Sequence, residues 1–215
     1  MLPALLGARD VNIPAVFEYL SQAMRHGWRP AETEFDRIHD RVPDSLRSEA
    51  EALAEFLKKE KAAESLRLAA FEPLLKGGNE SRGRTIFFGN KVACSVCHRI
   101  GDQGGSVGPD LTKVGTIRAG RDLIESIVYP SSTFAQGYES YFALLKDGRD
   151  ASGTLVRQGS DVLVLRDSSG MDQLFRNEDV SQLQRRATSL MPEGLESAMT
   201  ADEFRDLLAY LQSLR

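Results

Sequence analysis

A mainly helical fold with a small antiparallel β unit set into it follows from three features of the chain. Apolar residues recur at helical spacing from Val11 to Leu75. A capped amphipathic stretch, Thr200 to Leu211, lies near the C-terminus. Between them lie short apolar runs separated by Asp-Gly and Ser-Gly turns, the pattern of hairpins.

The first stretch predicts about three helices. Phe17, Leu20 and Met24 share one face, Phe35 and Ile38 belong to a second short segment, and Leu46, Ala50, Leu53, Phe56 and Leu57 recur at i, i+3, i+4. Pro14, Pro30 and Pro43 stand where helices begin or break. Gly77-Gly78-Asn79 reads as a linker, which assigns 1–78 to an N-terminal helical segment and 79–215 to a second domain. The run Lys58, Lys59, Glu60, Lys61 is mixed in sign and reads as a solvated helix face.

In the second domain, Gly83 to Phe88 predicts a short helix leading into Cys94. Tyr138 to Lys146, Gly153 to Val156, Val162 to Leu165 and Leu174-Phe175 predict about four strands, a β insertion at about 138–184. Thr200-Ala201-Asp202-Glu203 is a capping box, and Phe204, Leu207, Leu208 and Leu211 follow as an apolar stripe with Tyr210 beside it.

Composition excludes several classes of function. The 215 residues, 41% hydrophobic and 27% charged with a net charge of -4, carry no dense Lys/Arg patch of the kind that binds nucleic acid. No apolar run approaches the roughly 20 residues of a transmembrane helix. Only two cysteines are present, so there is neither a disulfide framework nor a second pair to complete a zinc site. A thioredoxin-like pair would follow a strand in a βαβ unit, whereas this one has a helix before it and a Gly-rich loop after it.

Those two cysteines stand in Cys94-Ser95-Val96-Cys97-His98, a Cys-x-x-Cys-His haem-attachment pattern. Two thiols on one helical turn reach two vinyl groups of one porphyrin, and the next residue sets its imidazole beneath the iron. One covalently attached haem c is therefore expected, with thioethers at Cys94 and Cys97 and His98 as the proximal ligand. The second ring nitrogen of His98 needs an acceptor. Gly108-Pro109-Asp110-Leu111 follows closely, and the Pro109 carbonyl is the candidate. The sixth ligand separates electron carriage from small-molecule binding, and a methionine thioether suits the carrier. Among Met24, Met171, Met191 and Met199, the choice falls on Met191, held extended before Pro192 in a loop ahead of the last helix. Met171 in a turn and Met199 before the capping threonine read as packing or exposed positions.

Gly83 with Phe87 or Phe88, the Cys94 to His98 motif, Gly108-Pro109-Asp110-Leu111, the Met191-Pro192 loop and Leu207-Leu208-Ala209-Tyr210-Leu211 resemble a class I cytochrome c. More narrowly, Ile124 to Ser131, Gly137-Tyr138, Asp147-Gly148-Arg149 and Ser189 to Leu195 resemble the haem-binding domain of planctomycetes and verrucomicrobia. The likeness covers about Gly83 to Arg215. It implies a cytochrome c-like haem domain whose His98 and Met191 halves are parted by the β insertion. It also implies that the domain closes a larger secreted protein with dehydrogenase and helical-repeat regions. Val11 to Leu75 carries no motif of that family.

The expectation is thus a monohaem electron-transfer module, not itself an enzyme, that takes electrons from a periplasmic dehydrogenase and passes them to a cytochrome or oxidase. The alternative is a haem with an open or displaceable sixth site, a gas sensor or weak peroxidase. A third reading makes the β insertion a binder of polysaccharide or a protein partner. Attachment of haem c implies an exported, periplasmic location, yet Met1 to Asp10 lacks a signal sequence. Either a leader has been removed or the chain is a piece of a larger exported protein. His26 and His39 read as surface or packing residues and Trp28 as a core anchor. Lys91, Arg99, Lys113, Arg118 and Arg121 place positive charge near the motif, a pattern that suits haem propionates, an acidic partner or, equally, an ordinary solvated surface.

Overall fold

The computed structural model describes residues 12–25, 30 and 32–215. Met1 to Val11, His26 and Trp28, with the readings attached to them, lie outside the described residues. The chain divides into two compact units, Met1–Arg67 and Leu68–Arg215.

The first unit is helical. Asn12 accepts a hydrogen bond from the Ala15 N–H and opens α1, Ile13–Arg25, where Pro14 sits in the first turn and blocks no helical hydrogen bond. α2 is Glu32–His39, and α3, Asp44–Phe71, runs on into the second unit. Ile13, Phe17 and Leu20 recur along one face of α1 and pack with Ile38, Val42 and Ala50. Arg47 closes the end of α2, donating to the carbonyls of His39 and Val42 at 3.0 Å each.

The second unit begins earlier than the Gly77-Gly78 linker suggested. Leu68 is buried in its core, and Phe71, Leu74 and Leu75 pack against the same cluster. α4, Glu80–Phe88, is capped by Asn79, whose side chain accepts from the Arg82 N–H at 2.9 Å. It crosses the terminal helix, which is Ala201–Ser213. The crossing is close because a Cβ on Gly83 would overlap the Asp206 carbonyl. Asp206, buried at 4% exposure, accepts from the Asn79 N–H at 2.6 Å and pairs with Arg82 at 2.5 Å, tying the start of α4 to the terminal helix. Phe87, Phe204, Leu207 and Leu208 fill the contact. Each such side chain contributes on the order of 1.5–3 kcal/mol by leaving water. The capping box is present as two reciprocal bonds, Glu203 N–H to Thr200 Oγ1 at 3.2 Å and Thr200 N–H to Glu203 Oε2 at 2.7 Å.

After α4 come α5, Cys94–Cys97, a two-residue hairpin of β1 (Arg99–Ile100) and β2 (Gln103–Gly104), α6 (Val114–Ile117) and α7 (Gly120–Val128). Strands β3 (Ser140–Leu145), β4 (Asp150–Gln158), β5 (Val162–Arg166), β6 (Asp172–Arg176) and β7 (Val180–Arg185) then form one antiparallel sheet in the order β6-β5-β4-β3-β7. Asp147-Gly148 makes the β3–β4 turn, with Gly148 at φ +87°. Ala143, Ala151, Leu163, Leu165, Phe175 and Leu183 share one apolar cluster, so all five strands contribute to a core of their own.

This corrects the expected fold class. The described residues are about 49% helix and 18% strand, and the protein is a mixed α and β molecule rather than a mainly α, cytochrome-like one. The sheet carries a fifth strand, β7, at its edge beside β3. β7 reads Val180-Ser-Gln-Leu-Gln-Arg, with apolar residues only at Val180 and Leu183. That is a weak period-2 signal, and the strand exists because it pairs with β3 far back in sequence. Among the described residues no helix is long and apolar enough to cross a membrane.

Candidate functional site

The Cys-x-x-Cys-His segment is shaped by its backbone. Ala93 enters it at φ +48°, a left-handed conformation that costs a residue with a Cβ about 1–2 kcal/mol. The chain makes one helical turn, the His98 N–H donates to the Cys94 carbonyl at 2.9 Å, and His98 leaves extended. The loop beyond the β1–β2 hairpin then folds back over the motif. Gly105 N–H donates to the Ser95 carbonyl, Gly108 N–H to that of Cys97 and Leu111 N–H to that of Arg99, at 2.8 to 2.9 Å.

That loop fixes the imidazole. His98 Nδ1 lies 2.9 Å from the Pro109 carbonyl oxygen. A carbonyl only accepts, so Nδ1 carries the proton and Nε2 keeps its lone pair. Burial lowers the His98 pKa, although the Pro109 bond opposes this, and the ring is held neutral. Gly108 lies flat on the ring: a Cβ there would come 2.5 Å from Cε1. Asp110 anchors the other end of the loop. It accepts from Thr112 Oγ1 at 2.5 Å, from the Thr112 N–H at 2.8 Å and from Arg99 at 2.9 Å, and these bonds, Thr112 first, bring its carboxyl down to about 2.

Cys94 and Cys97 are half-buried free thiols. Burial pushes Cys94 up to about 11 and raises Cys97, so both are protonated near neutrality. Thiols in that state are poor thiolate nucleophiles and poor zinc ligands. Among the described residues no three His, Cys, Asp or Glu side chains gather as a metal cage.

Cys94 and His98 line an apolar pocket with Phe87, Leu111, Ile127, Leu207 and two methionines, Met191 and Met199. Met191 stands in a braced loop: its N–H donates to Ser189 Oγ, and the Ser189 N–H donates to Ser131 Oγ, both at 3.1 Å. Met199 packs against the core, as its position suggested, and also lines the pocket. It follows directly on the short 3-10 turn Leu195–Ala198. Met171 is 67% exposed at a hairpin tip, Met24 is buried in the core of the first unit, and neither is among the residues that line the pocket.

No family model and no curated protein matches this chain.

The remaining predicted residues have local roles. His39 belongs to the first unit, 3.4 Å from Asp40 and near the Phe35 ring. Three of the five basic residues around the motif are bound to carboxylates: Lys91 to Glu203, Arg99 to Asp110 and Arg121 to Glu72. Lys113 is exposed and Arg118 half-buried. A second hollow of about 250 Å³ opens in the β unit between Gln158, Asn177 and Gln182, and no thiol, imidazole or carboxylate lines it. The candidate chemistry belongs to the pocket of His98.

Proposed function

We propose that this chain is a monohaem c-type electron carrier, with Cys94 and Cys97 joined to one haem by thioethers, His98 as proximal ligand and Met191 as distal ligand. The observation that carries the reading is the meeting of His98, Cys94 and Met191 on one apolar pocket, with the His98 proton held on Nδ1 by the Pro109 carbonyl. A haem in that pocket supplies reversible one-electron chemistry at its iron.

The residues present fit that group. Nε2 of His98 is the nitrogen with a free lone pair, and Met191 contributes a soft thioether. Phe87, Leu111, Ile127 and Leu207 give the pocket an apolar lining. Pro109, by accepting the Nδ1 proton, orients the imidazole and raises its basicity as a ligand. Two thioethers on the pocket argue against an open sixth position, and so against gas sensing or peroxidase activity.

Membership of the haem-domain family named above, an exported location, a dehydrogenase as donor and a cytochrome or oxidase as acceptor belong to the same proposal. Its test is expression of the chain with a periplasmic haem-attachment system, followed by denaturation and extraction with acidified acetone. Haem is expected to stay on the chain, and Cys94→Ala with Cys97→Ala to release it. Haem that extracts freely from the unaltered protein would overturn the reading.

A further inference from the structure

The β unit reaches the loop that holds His98. Arg166, the last residue of β5, grips Asp172 at the start of β6 through Nε and Nη2, at 2.6 and 3.0 Å. Its remaining nitrogen, Nη1, donates to the carbonyl and the hydroxyl oxygen of Ser106 at 3.2 and 3.3 Å. Ser106 opens the segment Ser106-Val107-Gly108-Pro109, in which Gly108 lies against the His98 ring and the Pro109 carbonyl accepts a hydrogen bond from its Nδ1. Val107 is buried, and a Cβ on Gly170, at the tip of the β5–β6 hairpin, would lie 3.5 Å from it.

The hairpin is stiff enough to act as a brace. Asp167 gathers its turn, accepting from the N–H groups of Ser169 and Met171 and from Gln173 Nε2, at 2.8 to 3.1 Å. The Arg166 side chain is only 25% exposed, and its planar fork is fixed on two nitrogens by Asp172 before the third meets Ser106. The Arg166–Ser106 bonds and the approach of Gly170 to Val107 are where the β unit meets the loop.

We propose that Arg166 is a positioning residue for the iron ligand: through Ser106 it sets the Gly108-Pro109 loop, and with it the Pro109 to His98 hydrogen bond. The β unit is then a mechanical part of the redox site, and a partner that moves the β5–β6 hairpin shifts the driving force for electron transfer. This rests on the haem reading given above. Loosening the loop weakens the Nδ1–H bond, makes His98 a poorer donor to ferric iron and raises the midpoint potential.

The test compares haem-loaded wild type with Arg166→Ala and Arg166→Lys. A lysine keeps a cation for Asp172 but cannot fork to Ser106, which separates bracing from loss of charge or folding. Three quantities are read: amide exchange in 105–109, exchange of the His98 Nδ1 proton in the reduced protein, and midpoint potential. Both variants are expected to speed loop and Nδ1 exchange about tenfold and to raise the potential by about 59 mV, the one-electron equivalent of tenfold. Unchanged loop exchange and potential in both variants would overturn the proposal while leaving the haem reading intact. Uniformly faster exchange over β3–β7 would also overturn it, since that is a general loss of stability. If haem does not attach at all, the haem reading falls, and loop exchange in the same variants still decides whether Arg166 braces the loop.

Discussion

Replacing Gly108 by alanine would set a methyl carbon 2.5 Å from Cε1 of His98, 2.8 Å from Nδ1 and 3.0 Å from Nε2. Carbon contacts rest at about 3.5–4.0 Å, so the ring or the loop must retreat by roughly 1 Å. The 2.9 Å bond from His98 Nδ1 to the Pro109 carbonyl cannot survive that retreat. Its loss costs about 1 kcal/mol. Forcing a methyl group into a packed site adds about 1–3 kcal/mol, for a total of about 2–4 kcal/mol. At roughly 2–4 °C per kcal/mol for a domain of this size, Tm falls by about 4–16 °C. The assay is thermal melting of the haem-loaded protein, with exchange of the His98 Nδ1 proton followed by NMR in the reduced state. A melt within about 2 °C of wild type and an unchanged Nδ1 proton would refute the view that the loop fixes the imidazole.

Other expectations concern pH, capping and the second methionine. Asp206 has its pKa lowered from 3.8 chiefly by its hydrogen bond from Arg82, so it stabilises the fold above its unfolded value and ceases to do so as pH falls through its folded one. Asp206→Asn should therefore lower Tm near neutrality and flatten the acid side of the Tm–pH curve below about pH 4. An equal acid slope in both proteins would contradict the assignment. Thr200→Ala removes the helix cap and should cost about 1 kcal/mol in urea denaturation, with no change in the visible spectrum. Because Met199 shares the pocket, Met191→Ala should expose the iron to carbon monoxide only in part, and the Met191→Ala, Met199→Ala double variant fully. Identical carbon monoxide affinities in the two would show that Met199 does not approach the iron.

Much of this molecule is legible from local pattern, because local pattern follows local energy. Phe17, Leu20 and Met24 repeat at the helical period and are buried, and Thr200 with Glu203 makes the bonds its spacing promises. The Pro109 carbonyl does lie at hydrogen-bond distance from His98. Features made by tertiary closure were not legible. β7 shows only Val180 and Leu183 as apolar residues, and it is a strand because β3 presents an unpaired edge to it. Leu68 to Leu75 continues a helical pattern, and only the far-off Phe204 and Leu208 decide which core it joins. Met199 lines the pocket together with Met191, a meeting set by tertiary packing rather than by local pattern. Arg166 and Ser106 are sixty positions apart, and no spacing rule joins them.

The central claim is that His98 and Met191 hold one haem iron between them. It is tested most directly by the visible spectrum of the matured protein, ferric and ferrous, before and after carbon monoxide, with Met191→Ala beside it. The account predicts six-coordinate low-spin haem that ignores carbon monoxide in the wild type, and uptake of carbon monoxide by the variant. High-spin haem in the wild type, or ready binding of carbon monoxide by it, would contradict the account.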